Sequence, residues 1–243
     1  MKCILLYTVA AMFAATVLTA CSKTDESPKE TSSLTIVNAV SGSSALVPDF
    51  SNGRGLKNYK TALQIPTDGF LEFSGYNGTV PLSFSQITDT TKVLFQHTLN
   101  LPSNGINSLF LMGSVANTDM LLTTDQLPHY LAADSLIGVR FINLSMGSVP
   151  VSVNLKGKET VKLADQLDYK SFTGFLPFSA KNTVPATVSY IFEIRDASTA
   201  KLLTTYTLSG FTAKLSKNVT IAFKGIPAGT GTNAQSAILV NNY

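Results

Sequence analysis

Residues 34–243 repeat themselves, and no other feature of the chain restricts its fold as much. Leu34, Ile36, Asn38 and Gly42 recur as Val139, Phe141, Asn143 and Gly147, each 105 positions later. The string Gly69-Phe70-Leu71-Glu72-Phe73-Ser74 recurs at the same spacing as Gly174-Phe175-Leu176-Pro177-Phe178-Ser179. Thr79-Val80-Pro81 returns as Thr183-Val184-Pro185, and Asn58-Tyr59-Lys60 matches Asp168-Tyr169-Lys170. Matches in one order at a near-constant spacing mean two copies of a module of roughly 100 residues, the usual size of a domain. The seam is expected at residues 127–135, around Pro128 and Asp134.

Within each copy the apolar period is two. Val188, Tyr190, Phe192 and Ile194 alternate with Ser189, Glu193 and Arg195, interrupted by Ile191. Val219, Ile221 and Phe223 alternate with Asn218, Thr220 and Lys224, and Ala222 is small enough for either face. Val149, Val151, Val153 and Leu155 alternate with Ser152 and Asn154; in the first copy Val93, Phe95, Leu99 and Leu101 share a face. Such stripes predict half-buried strands, and Asn77-Gly78 and Lys156-Gly157 read as turns between them. No convincing helical stripe follows the first twenty residues, although the stretch from His129 to Asp134 has room for one turn. The predicted class is all-β, two tandem Ig-like antiparallel β-sandwich domains. The Cys-Trp-Cys hallmark of antibody domains is missing, so the likeness is one of architecture. The repeated Gly-Phe-Leu-x-Phe-Ser segment is expected to reuse one turn and one core aromatic contact.

The start has a different character. Lys2 precedes an apolar run from Ile4 to Leu18. Such a run is shorter than the roughly 20 residues a membrane span needs and suits the core of a signal peptide. It ends in Leu18-Thr19-Ala20-Cys21, which resembles the bacterial lipobox. That resemblance implies cleavage after Ala20 and lipidation of Cys21; ordinary secretion is the alternative. A single acyl chain holds a protein reversibly, whereas two or three on one residue make attachment effectively permanent. Residues 22–33 are polar and read as an unstructured tether reaching at most roughly 40 Å. Lys23-Thr24-Asp25-Glu26 is similar to the lysine-then-acidic signal of Bacteroidetes lipoproteins exported to the cell surface. The expected organisation is a lipoprotein signal peptide at 1–20, lipidated Cys21 and tether at 21–33, and sandwich modules at 34–127 and 136–243. The expected place is the bacterial outer membrane; the lysine-then-acidic signal points to the cell surface, and the periplasmic leaflet is the alternative.

The order of elements in both copies carries a further resemblance. Leu-Thr-Ile-Val-Asn-Ala and Val-Arg-Phe-Ile-Asn-Leu-Ser each lead into a glycine-containing loop. A Val-x-Val strand follows, clearest at Val149-Pro150-Val151-Ser152-Val153, then a tyrosine segment and a glycine before a strand. This is similar to a family of uncharacterised Ig-like repeats common in Bacteroidetes lipoproteins. The first copy departs from it, with Val47-Pro48-Asp49-Phe50 where Val-x-Val is expected. The resemblance implies a fold and brings no catalytic residues.

Reactive chemistry is thinly supplied. The chain has 2 His, 2 Cys and no Trp. Cys3 would leave with the signal peptide and Cys21 would carry lipid, which leaves no thiol for catalysis, disulfides or zinc. His97 and His129 lie too far apart in sequence to suggest a metal cluster. His97, on the face of Val93 and Phe95, is expected to be half-buried, and His129 to be solvated. No Gly-x-Ser-x-Gly elbow is present. The acids mostly sit beside glycine, serine or threonine, as turn residues do. The densest acidic spot, Asp165-Gln166-Leu167-Asp168, reads as a loop. Gly225–Gly231 lacks the lysine and helix of a phosphate cradle and reads as a flexible hairpin. Without Lys2, 17 basic residues face 15 acidic ones, too even a balance for nucleic acid. Lys156, Lys158 and Lys162 form a minor cluster.

The functional expectation is a non-enzymatic, lipid-anchored envelope protein acting as an interaction or spacer module, without catalytic residues, metal or cofactor. Its partners would be the membrane, through lipid on Cys21, and an envelope protein or glycan. The alternative is a glycan-binding accessory lipoprotein, with Tyr59, Tyr76, Tyr130 and Tyr169 as its stacking platform. A sandwich-fold hydrolase built on paired carboxylates is a further alternative. Asp89-Thr90-Thr91 and Asp134-Ser135-Leu136 resemble an O-glycosylation acceptor of exported Bacteroidetes proteins, which marks Thr90 and Ser135.

Overall fold

Both copies lay down the same strand order, because the same alternating stripes are punctuated by the same turns. The computed structural model describes residues 30–52, 61–75, 77–180 and 189–242. Cys21, the tether up to residue 29, Tyr59, Tyr76 and the repeated residues 183–185 lie outside the described residues. In the first copy β1 (Ser33–Asn38), β2 (Leu46–Asp49), β3 (Phe70–Ser74), β4 (Gly78–Gln86), β5 (Asp89–Leu101), β6 (Ile106–Ser114) and β7 (Asn117–Thr124) form two sheets. Their orders are β3-β1-β6-β7 and β2-β4-β5. In the second copy the strands are β8 (Leu136–Asn143), β9 (Val151–Leu155), β10 (Lys162–Leu167), β11 (Leu176–Ser179), β12 (Tyr190–Asp196), β13 (Leu202–Leu208), β14 (Asn218–Lys224) and β15 (Ser236–Asn241). Their orders are β11-β8-β14-β15 and β10-β9-β12-β13. The orders match except for β10; in its place the first copy has a single bridge from Leu46 to Ile65.

The all-β sandwich expectation holds. Leu34, Ile36, Leu82, Phe84, Leu99 and Leu109 fill the space between the first two sheets. Phe141, Val153, Phe178, Phe192, Ile221 and Phe223 fill the space between the second two. The pairing is not purely antiparallel, however. β1 lies parallel to β6, and β8 parallel to β14. A parallel pair puts the start of the first strand of each copy beside the start of its penultimate strand, a geometry that local turns do not announce.

A third core was not foreseen. Val37, Ala39, Phe110 and Met112 from the first copy pack against Ile142, Leu144, Ala222 and Val240 from the second. The two inner sheets, β3-β1-β6-β7 and β11-β8-β14-β15, are therefore stacked on each other, and Thr31–Tyr243 forms one compact unit of four layers. The central strands β1, β6, β8 and β14 are buried on both faces, which explains the near-continuous apolar runs of β6 and β8. It also corrects the alternation read for β14. Asn218, Thr220 and Lys224 do not face solvent; they are buried, and Thr220 and Lys224 lie on the face turned to the other copy. Glu193 is likewise buried, held by Asn154 and Arg195.

The repeated polar residues have a common task. Asn38 and Asn143 are fully buried at the ends of β1 and β8. Asn38 Oδ1 accepts from the Val40 N–H at 3.3 Å and from Ser43 Oγ at 3.1 Å. Asn143 Oδ1 accepts from the Ser145 N–H at 3.0 Å and from Ser148 Oγ at 3.4 Å. Each clamp closes a loop that turns through a left-handed glycine, Gly42 at φ +74° and Gly147 at φ +76°. The repeat in sequence at these positions is thus a repeat of one loop-closing device.

The hexapeptide repeat is used differently in the two copies. Leu34 pairs with Phe73, but its counterpart Val139 pairs with Leu176, not Phe178. The segment has slipped by two residues, which keeps each side chain on its original face. Phe178 remains a core residue, as expected, in edge-to-face contact with Phe192 at 5.3 Å. Several smaller expectations change. Val93 is 57% exposed and Val149 47% exposed, the first beside a register shift in the β4–β5 ladder. Asp165 and Leu167 belong to β10, not to a loop. The turn expected near His129 is the 3₁₀ turn Ala132–Asp134, and a four-residue helix, α1 (Phe211–Lys214), precedes β14. The glycine-rich connection before β15 is tightly packed: a Cβ on Gly225 would lie 2.4 Å from the Ala234 carbonyl oxygen.

Candidate functional site: the seam between the inner sheets

The most densely organised polar cluster lies where the inner sheets meet. Asp125 directly follows β7, and Arg140 stands in the middle of β8; their side chains are 0% and 3% exposed. Arg140 Nη1 donates to Asp125 Oδ1 at 2.7 Å, and Nη2 to Oδ2 at 3.4 Å. Arg140 Nε donates to Thr220 Oγ1 at 3.0 Å, and Thr220 in turn donates to Asn242 Oδ1 at 2.6 Å. Asn242 Nδ2 returns to Asp125 Oδ2 at 3.2 Å. Ser108 and Thr123 hydroxyls complete the shell of the carboxylate at 2.5 Å and 2.7 Å. The guanidinium carbon lies 4.7 Å from the Phe175 ring centre, 5.6 Å from Phe172 and 5.9 Å from Phe110. A buried charge pair is tolerated only when its remaining donors and acceptors are satisfied in this way.

Two further ion pairs cross the seam. Lys224, with its side chain 3% exposed, lies 2.6 Å from Asp68 Oδ1. Lys170 Nζ donates to Asp119 Oδ1 at 2.7 Å, and the Tyr169 hydroxyl to Asp119 Oδ2 at 3.0 Å. Partial burial pushes the Asp119 carboxyl up, but Lys170, the Met120 N–H and Tyr169 outweigh it and hold the group below the ordinary carboxylate range. Burial, and then the Asp119 charge, raise the Tyr169 hydroxyl well above its usual value. Sequence matching set Lys170 against Lys60, which lies outside the described residues. By backbone hydrogen bonds Lys170 instead occupies the place of Asp68. The Lys170 N–H bonds the Asn143 carbonyl as the Asp68 N–H bonds that of Asn38, and both have positive φ.

The remaining expected site residues are dispersed. Thr90 lies at the start of β5 on the outer sheet, half-buried, and Ser135 follows the 3₁₀ turn at φ +51°. His97 is exposed rather than half-buried, and its ring stacks on Phe95 at 6.2 Å; β5 is an edge strand there. His129 is exposed. Among the described residues no three His, Cys, Asp or Glu side chains come together as a metal site would require. Of the four tyrosines proposed as a platform, Tyr169 is bound to Asp119 and Tyr130 packs by Gly138; the other two are outside the described residues. Lys156 and Lys158 are exposed at a hairpin tip, and Lys162 pairs with Asp165 at 2.5 Å. Asp125 and Arg140 were missed as partners, yet a lone arginine within the apolar run of β8 is a signal that a buried anion stands opposite.

Both ends of the described chain converge on one end of the inner sheets. Asn104 N–H bonds the Thr31 carbonyl, and Asn242 bonds Ser108 near the start of β6. An open groove of about 370 Å³ there is lined by Ser33, Thr35, Glu72, Ile106, Leu127 and Asn242. The opposite end gathers the corresponding loops of both copies. Ser41 bridges Ser114, Asn117 Nδ2 reaches the Met146 sulfur at 3.4 Å, and the Gly42 Cα faces Asn233. The connections 39–45, 115–116, 144–150 and 225–235 contain no charged residue, whereas the segments entering β3 and β11 at this end carry Asp68, Asp168 and Lys170, and the outer hairpins carry Asp89 and Asp196.

No protein-family model and no curated protein matches the chain. Among solved structures it is similar to a family 26 carbohydrate-binding module from Eubacterium rectale Amy13K, solved in complex with maltoheptaose. Identity is 9%, over 86% of this chain and 96% of that one, at a TM-score of 0.25.

Proposed function

We propose that the protein is a non-enzymatic, lipid-anchored component of a bacterial outer membrane, a rigid presenter of loops to envelope partners. The observation that carries this reading is the polarity of the body. The chain runs in at Thr31 at one end of the inner sheets, ten positions after Cys21, and the joined loops of both copies form the other end. Loops held on a packed scaffold are the usual place for recognition. The lipobox supplies the anchor and the polar residues 22–29 supply reach. Labelled palmitate should enter the wild-type protein and not the Cys21→Ala variant, which should leave the membrane fraction. Label-free wild type, or a variant that stays in the membrane, contradicts the proposal. Protease treatment of intact cells should remove the body if it faces the surface.

A glycan partner is the second reading. It is favoured by the connection 225–235, where the exposed Thr230, Thr232 and Asn233 offer hydroxyl and amide groups without charge. Retardation on neutral but not acidic polysaccharide gels supports it; uniform mobility across both sets excludes it.

A further inference from the structure

The two copies meet through equivalent faces. Register places Asp125 of the first copy where Asn242 stands in the second: their N–H groups bond Ile106 and Asn218, which occupy the same rung. Ser108 corresponds in the same way to Thr220, Thr35 to Arg140, Met112 to Lys224 and Asp119 to Ser236. Asp125 and Asn242 touch each other across the seam. Contact between equivalent residues is the mark of a two-fold arrangement, in which one surface is its own partner. The arms agree. Asp68 and Lys170 are equivalent, and each reaches to the far copy, Asp68 to Lys224 and Lys170 to Asp119.

A face of this kind would allow first copy to pair with first copy and second with second, between chains. The charges forbid it. Among the described residues three ion pairs cross the seam, and in each the acid belongs to the first copy and the base to the second. First on first would bury two Asp125 carboxylates with Thr35, not arginine, beside them, and would set Asp68 against Asp119. Second on second would bury two Arg140 guanidinium groups against Asn242, and would set Lys170 against Lys224. Like charges without partners in a buried face are strongly disfavoured. We propose that these six residues are a charge key that makes the first sandwich accept the second alone, so that a self-complementary face closes within one chain and does not join chains.

The key can be inverted without changing composition. Exchanging the arms, Asp68→Lys with Lys170→Asp, keeps net charge and keeps both residue types in a left-handed conformation each already adopts. In that chain the lysine introduced at position 68 would meet Lys224, and the aspartate introduced at position 170 would meet Asp119. First-on-first and second-on-second pairings of the arms would each become complementary. Purified full-length chain in detergent, followed by light scattering and denaturant melts, reads the result. Wild type should be monomeric. The exchanged chain should melt at lower denaturant and associate with rising concentration. Adding Asp119→Lys and Lys224→Asp should return it to a monomer and recover most of the lost midpoint. An exchanged chain that is monomeric and as stable as wild type overturns the proposal. So does a weakened chain that the further exchange does not rescue, since a role confined to each residue separately predicts a second loss.

Discussion

Asp125 and Arg140 stabilise the seam only as a pair. Replacing Arg140 by methionine would leave a carboxylate buried with three neutral donors, and removing one member of a buried pair costs about 3–5 kcal/mol. The double variant Asp125→Leu with Arg140→Met should lose less than either single variant in urea melts, because no lone charge remains. Asn38 and Asn143 should behave alike: alanine at either position orphans buried backbone groups and should cost about 1–3 kcal/mol. The partly exposed Asp119 sets a pH dependence. Its folded-state value is lowered, so its contribution is complete above the ordinary carboxylate range and fades as pH falls through the lowered value. Tyr169 is raised, so its contribution is complete below the usual phenol value and fades as pH rises through the raised one. Asp119→Asn should therefore flatten the acid limb of a stability–pH profile and leave the neutral plateau lower by a small amount.

Strands rather than residues decide which parts of this body are legible in its sequence. Stripes of period two located β9, β12 and β14, since half-burial leaves alternation in the sequence. The same logic misassigned the polar side of β14, because Thr220 and Lys224 look identical whether they meet water or the buried seam. Parallel pairing of β1 with β6 joins residues some seventy positions apart, and no turn encodes it. The slip that sets Phe175, rather than Pro177, beside Arg140 preserves facing and so leaves no trace in the pattern. Close approach is similarly invisible until strands are paired. Gly113, at φ +87° near the end of β6, has the Asn117 carbonyl oxygen 2.3 Å from where a Cβ would sit. Gly113→Ala should destabilise the β6–β7 hairpin by more than the ~1 kcal/mol of a backbone effect alone, seen as a lowered melting midpoint and faster exchange of hairpin amides.

At the scale of the whole molecule, the repeat in sequence announced two sandwiches but not their fusion. A chain of two separate modules would need only a seam at the connection between β7 and β8; this one adds a core of Val37, Phe110, Ile142 and Ala222 between inner sheets. That core makes the loops of both copies a single end and gives a presenter on a tether a defined face. It also predicts that neither half can lose its structure while the other keeps it. The chain contains no tryptophan, so a single one introduced at Phe73 beside the first core, or at Tyr190 beside the second, reports on its own sandwich alone. Fluorescence melts of the two variants, each compared with its own circular dichroism, are the most direct test. One fused body predicts that, in each variant, the tryptophan signal and the backbone signal fall together in a single transition. A backbone signal that falls in two steps, with each tryptophan following a different one, would show two independent domains and contradict the account.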